Sequence, residues 1–159
     1  MSIVWRNEMS VGNTAIDNDH KYLIAMINAL EAAINSKLRD KVLLLHVSQL
    51  TIYTAEHFAR EEAVQENIKF AQSEEHKEDH KKFFNQIKAV QEKIESSKQR
   101  EEHLKSINPI IKNTQQTTES SKLHDTLDLV AQELSDLLKD WLLKHILKED
   151  MKMKPYFKI

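Results

Sequence analysis

Apolar side chains recur every three or four positions in four separate runs from residue 16 onward. Ile16, Leu23, Ile24, Ile27, Leu30 and Ile34 make the first run, with the spacing of one α-helix face. The polar triplet Asn35-Ser36-Lys37 ends it. A second run begins behind Asp40, a good N-cap type. It passes through Val42, Leu45, Leu50, Tyr53, Phe58 and Val64 to about Asn67. A third opens at Ser73 as N-cap, with Glu75 and His76 behind it, and carries Phe83, Phe84, Ile87, Val90 and Ile94. Residues 95–103 contain no apolar position, so periodicity gives no helix signal there. A short apolar patch follows (Leu104, Ile107, Ile110, Ile111), interrupted by Pro109, and the polar stretch Asn113 to Ser121 reads as a loop. The fourth run goes from about Lys122 to about Lys148 through Leu127, Val130, Leu134, Leu137, Leu138, Trp141 and Leu142. Residues 1–15, with Trp5 and Gly12, read as an extended arm.

Four amphipathic helices predict an all-α protein: an antiparallel up-down-up-down four-helix bundle. The prediction is one domain over residues 1–159, with an N-terminal arm and a long third connection at about residues 98–121. Composition agrees. There are 1 Gly and 2 Pro in 159 residues, and sheet proteins recruit many more for their turns. A formal charge of −2 leaves no general nucleic-acid footprint. No apolar run approaches the roughly 20 residues of a membrane helix. Residues 1–18 lack a basic-then-apolar signal pattern. The absence of cysteine excludes disulfides, thiolate metal sites and iron–sulfur clusters. A cytoplasmic protein without membrane or nucleic-acid partners is expected.

Candidate chemistry lies in the 8 histidines. His57 and Glu61 form H-x-x-x-E; His76 and His80 form H-x-x-x-H. An i,i+4 pair shares a helix face, as two ligands to one metal region must. Read alone, either pattern fits surface polar residues. Their levels in a bundle say more, because residues equidistant from a hairpin turn sit at one height. His20 and His57 are centred on 38.5, Glu61 and His76 on 68.5, and His80 and His145 on 112.5. Each centre falls at or beside a predicted break. His20, His57 and His145 also continue apolar stripes. Several imidazoles and a carboxylate buried in one layer are costly without compensation. Metal coordination supplies it, and imidazole with carboxylate suits Fe, Zn or Mn. His46, His103 and His124 fall away from this layer and read as ordinary surface or core-edge residues.

In this arrangement the chain resembles the hemerythrin family in its bacterial single-domain form. The family order is a single His, then H-x-x-x-E, H-x-x-x-H and H-x-x-x-x-D. Here that is His20, His57 with Glu61, His76 with His80, and His145 with Asp150. Val4-Trp5, Ile16-Asp17 before His20, Lys21 after it, and His57-Phe58 with Glu61-Glu62 agree as well. The resemblance covers approximately residues 3–95 and 122–151. It implies two iron ions per chain with an oxo or hydroxo bridge. His76, His80 and His145 would hold one iron and His20 and His57 the other, with Glu61 and Asp150 bridging. It also implies dioxygen as ligand in an apolar pocket at Leu23, Phe58, Trp141, Leu142 and Ile146. Helical spacing alone selects Glu149 rather than Asp150, since i+5 is off-face on a regular helix. The family pattern therefore implies a bend or widened turn near the end of the last helix.

The expected activity is reversible dioxygen binding for storage, delivery or sensing, not catalysis. An oxygen-using enzyme or a signalling protein is the expected partner. The alternative is a di-iron enzyme, or a peroxide-, nitric oxide- or iron-handling protein, on the same site. Ferritin-like di-iron enzymes use more carboxylates and E-x-x-H motifs, which this chain lacks. The segment 98–121 is either a docking surface, a dimer contact or a neutral insertion.

Overall fold

A computed structural model describes residues 2–35, 39–107 and 118–157. Four α-helices dominate: α1 (Thr14–Ile34), α2 (Arg39–Asn67), α3 (Ser73–Ile107) and α4 (Thr118–Lys144). Packing is sequential, α1 on α2, α2 on α3, α3 on α4, and α4 closes against α1. No strand occurs among the described residues. No helix there is long and apolar enough to cross a membrane.

The helix ends have local causes. Asn13 caps α1, its side chain accepting from the N–H groups of Ala15 and Ile16. The N-terminal arm is fastened to α1 at two points. Asp17 accepts from the Ser10 hydroxyl at 2.6 Å and the Val11 N–H at 2.9 Å. Asn28 exchanges two hydrogen bonds with the backbone of Ile3. Gly12 turns the arm at φ +86°, a backbone region that favours glycine. The end of α2 is a Schellman turn: Phe70 N–H donates to Gln65 C=O, and Lys69 N–H to Glu66 C=O. Lys69 takes the left-handed position, at φ 54°. This turn points Phe70 inward and fixes how α3 returns beside α2.

The core runs the length of the bundle. Leu23, Ile27, Leu30, Leu43, Val47, Leu50, Ile87, Ile94, Leu134 and Leu138 are all buried. Several expectations need adjusting. In α2 the inward face is Leu43, Val47, Leu50 and Phe58; Leu45 is exposed, and Gln65 rather than Val64 is buried. Helix α3 continues through residues 95–103 to Ile107. Their Glu, Lys, Arg and Gln side chains are strong helix formers that need no apolar stripe. Ser73 is already helical, since His76 N–H donates to Gln72 C=O. At 118–121 the chain belongs to α4, not to the loop. The expectations for Pro109, Ile110, Ile111 and the rest of the loop at 113–117 lie outside the described residues.

Candidate metal centre

The last helix changes its winding at the site. After Lys144 the chain makes one π-helical turn, His145–Glu149, and then a 3-10 segment, Asp150–Tyr156. Asp150 N–H donates to His145 C=O, an i→i+5 bond. A π turn inserts one extra residue, so i+5 takes the place that i+4 holds on an α-helix. Asp150 therefore faces inward and is fully buried. Glu149 is carried aside and pairs with Lys152 at 2.6 Å. Helical periodicity points to Glu149 because it assumes an α-helix throughout; the π turn brings Asp150 inward instead.

The seven residues His20, His57, Glu61, His76, His80, His145 and Asp150 are all buried. They meet in one layer. Every contact that an imidazole makes there uses Nε2. Glu61 Oε2 lies 3.1 Å from His80, 3.5 Å from His76 and 3.7 Å from His57. Asp150 Oδ1 lies 3.0 Å from His145 and 3.2 Å from His76, and Oδ2 lies 3.2 Å from His20. The Nε2 atoms of His80 and His145 are 2.9 Å apart, and those of His145 and His76 are 3.1 Å apart. Two groups of converging donor atoms result: Glu61 with His76, His80 and His145, and His20 with Glu61 and Asp150. His57 stands just outside both groups, at the longest of these contacts.

Despite such closeness, no side-chain N or O of His20, Glu61 or Asp150 has a hydrogen-bond partner of proper geometry. Buried polar groups are almost always paired, and here they face one another instead. The Nε2 atoms of His80 and His76, each about 3 Å from that of His145, can pair only where a ring carries its proton at Nε2; turned inward as lone pairs they have no partner in one another. They fit a shared cation. With metal–nitrogen bonds of about 2.1 Å, neighbouring donors at right angles stand about 3.0 Å apart. Observed separations of 2.9 and 3.1 Å match. The donor set therefore fits a metal ion of imidazole and carboxylate preference.

Without metal the layer balances its charge with protons. Burial disfavours the charged form of His76, but Asp150 and Glu61 beside it push its pKa up to about 9. Burial and the Asp150 charge work to raise Glu61, yet the imidazoles of His76, His80 and His57 prevail and bring it down to about 2. Asp150 is likewise held well below the usual carboxylate range: burial opposes this, and His145, His20 and His76 outweigh it. A metal ion entering the layer displaces such protons.

Aromatic rings close the layer on one side. Trp141 stacks on His145 at 4.1 Å and on Phe83 at 3.5 Å; Phe58 stacks on His80 at 3.8 Å. Leu23, Phe58, Leu142 and Ile146 belong to the same buried apolar cluster, with Trp141 packed against it. His103 is exposed on α3 and His46 half-buried on α2, both away from the layer; the side chain of His124 lies outside the described residues.

Three polar residues around the layer are given no site role by the sequence, although Glu62 stands in the Glu61-Glu62 match. Asp19 touches His57, Glu62 touches His80, and Gln65 is buried one turn beyond Glu61 with both amide atoms unpaired. Adjacency was the available signal, since Asp19 precedes His20 and Glu62 follows Glu61.

The family model for the hemerythrin HHE cation binding domain matches residues 11–157. Bacteriohemerythrin of Pseudomonas paraeruginosa is 27% identical over 148 residues, covering 93% of this chain and 76% of that protein. The hemerythrin-like protein of Naegleria gruberi is 38% identical over 79 residues, 50% of this chain and 60% of that protein. Bacteriohemerythrin of Stenotrophomonas maltophilia is 31% identical over 85 residues, 54% of this chain and 55% of that protein.

Proposed function

Because the chain belongs to the hemerythrin family, we propose that it binds dioxygen reversibly at a pair of iron ions held in this layer. His76, His80 and His145 would hold one ion and His20 and His57 the other, with Glu61 and Asp150 shared. One observation carries the reading. Each carboxylate contacts imidazoles of both sets: Glu61 reaches His57 as well as His76 and His80, and Asp150 reaches His20 as well as His76 and His145. A single-ion site has no use for two such connectors.

The bound iron pair supplies the redox chemistry by which dioxygen is taken up and given back. The protein supplies asymmetry and dryness. Three imidazoles stand on one side and two on the other, so the two-histidine side has room for an outside ligand. Leu23, Phe58, Trp141, Leu142 and Ile146 form the apolar wall that keeps water and protons from that ligand. Such exclusion favours release over further reaction. The sparse carboxylates support a carrier over an oxidase. Storage, delivery to an oxygen-using enzyme and sensing all use the same reversible step.

The test is to load the reduced protein with ferrous iron under argon, count iron, admit oxygen and remove it again. Two irons per chain and a visible absorption band that develops with oxygen and fades under argon are expected. A centre that oxidises once without reversal overturns the carrier reading and favours the enzyme or peroxide- and nitric oxide-handling alternative.

A further inference from the structure

Two carboxylates stand directly behind the ligand layer. Asp19 Oδ2 is 3.4 Å from His57 Nδ1, and Glu62 Oε1 is 3.1 Å from His80 Nδ1. In both cases the imidazole faces the layer with its other nitrogen, Nε2. The two supports are built differently. Asp19, on α1, is gripped by three donors from α2. Arg60 reaches it through Nε at 2.8 Å and Nη2 at 3.1 Å, and the Tyr53 hydroxyl donates at 2.7 Å. The Arg60 guanidinium in turn lies over the Tyr53 ring, 5.3 Å from its centre. The clamp ties together the two helices that bear His20 and His57. Glu62 is about one-third exposed, beside an open cleft between α2 and α3 of about 390 Å³.

His57 needs outside support more than its neighbours. Its inward contact, 3.7 Å to Glu61, is the longest in the layer. It is also the one imidazole of the five outside both groups of converging donors. A neutral imidazole carries one N–H and one lone pair. A carboxylate at Nδ1 keeps the proton there, leaves the Nε2 lone pair facing the metal and raises its basicity.

The geometry points to Asp19 as a positioning residue that acts through His57. It orients one metal position, the two-histidine one, and sets that position's affinity separately from the three-histidine one. This inference rests on the two-iron reading above. Because the clamp is anchored on Arg60 and Tyr53, its strength is adjustable without touching any ligand. Glu62 supplies the internal contrast, since it stands behind His80 on the other half.

Anaerobic calorimetric titration of the full chain with ferrous iron tests this, with circular dichroism to confirm folding. The unsubstituted chain is expected to take up two ions. Asp19→Asn is expected to weaken one of the two binding events by about 10- to 100-fold, the usual effect of removing such an outer partner, and to leave the other unchanged. Asp19→Glu, which keeps the charge, is expected to recover part of the loss. Glu62→Gln is expected to weaken the other event. Loss of both events together in Asp19→Asn, or of neither, overturns the assignment, because a general structural role would not separate the two ions. Should Asp19→Asn fail to fold, Tyr53→Phe removes one hydrogen bond to Asp19 alone; an unchanged titration there overturns it equally. An unsubstituted chain that takes up fewer than two ions contradicts the two-iron reading itself, whatever the variants do.

Discussion

The two ends of the bundle are filled by opposite kinds of side chain. At one end Leu30, Leu43, Val47, Val90, Ile94, Ala131 and Leu134 meet as an ordinary apolar core. At the other, the same inward positions carry five imidazoles and two carboxylates, all buried. The apolar end gains stability by leaving water and needs nothing else. The ligand end gives up that gain and keeps polar atoms unsatisfied until a cation joins them. Folding and function are thus divided along one set of helices: the apolar end holds the bundle together, and the ligand end draws on that stability.

The largest test of this division is iron removal. With free iron at 1,000 times the dissociation constant of each position, each bound ion stabilises the fold by about 4 kcal/mol, about 8 kcal/mol for the pair. For a domain of this size that lowers the midpoint of the iron-free protein by about 20 °C. Hydrogen exchange should locate the loss at residues near His20, His57, His76 and His145 and spare Leu30, Val47 and Ile94. Equal loss along the bundle breaks the comparison. Next in size, Leu134→Ala in the apolar end should cost about 3 kcal/mol. That cost should be the same with and without iron, as denaturant titrations of both forms would show.

Acidity acts on the ligand end through its buried imidazoles and carboxylates. His76 is raised from 6.5 to about 9 in the metal-free layer. Its contribution is therefore full below pH 6.5 and lost as pH rises through about 9. Glu61 is lowered from 4.5 to about 2, so its contribution is present above pH 4.5 and lost as pH falls through about 2. The metal-free protein should be steadiest between these windows and lose stability from pH 6.5 to 9, as thermal melts across that range would read. Iron affinity should rise over the same range, because the His76 proton no longer has to be displaced. The smallest effect is the sharpest in sequence terms. Glu149→Gln, one residue from Asp150, should leave iron content unchanged and cost under about 0.5 kcal/mol, whereas Asp150→Asn should lose bound iron.

How legible each part was follows from the same division. Helices α1 and α4 show their inward faces plainly, because Leu23, Ile27, Leu30 and Leu134, Leu138, Leu142 repeat at helical spacing and are buried. Helix α2 is harder, since its inward face includes Thr54, His57, Glu61 and Gln65, which hydropathy assigns to solvent. Hairpin heights rather than hydropathy point to the layer, and the structure brings those residues together. The family pattern points to Asp150 where helical spacing points to Glu149, and the π turn at His145–Glu149 is what turns Asp150 inward. The length of α3 stays open in the sequence because a charged, solvated helix has no stripe to read. Asp19 was missed because a support behind a ligand has no spacing rule of its own; it depends on Arg60 and Tyr53 arriving from another helix.

Anomalous diffraction at the iron edge from iron-loaded crystals tests the central claim most directly. Two peaks are predicted between Glu61 and Asp150, one beside His76, His80 and His145 and the other beside His20 and His57. A single peak, or iron bound elsewhere on the chain, would contradict a shared two-metal layer.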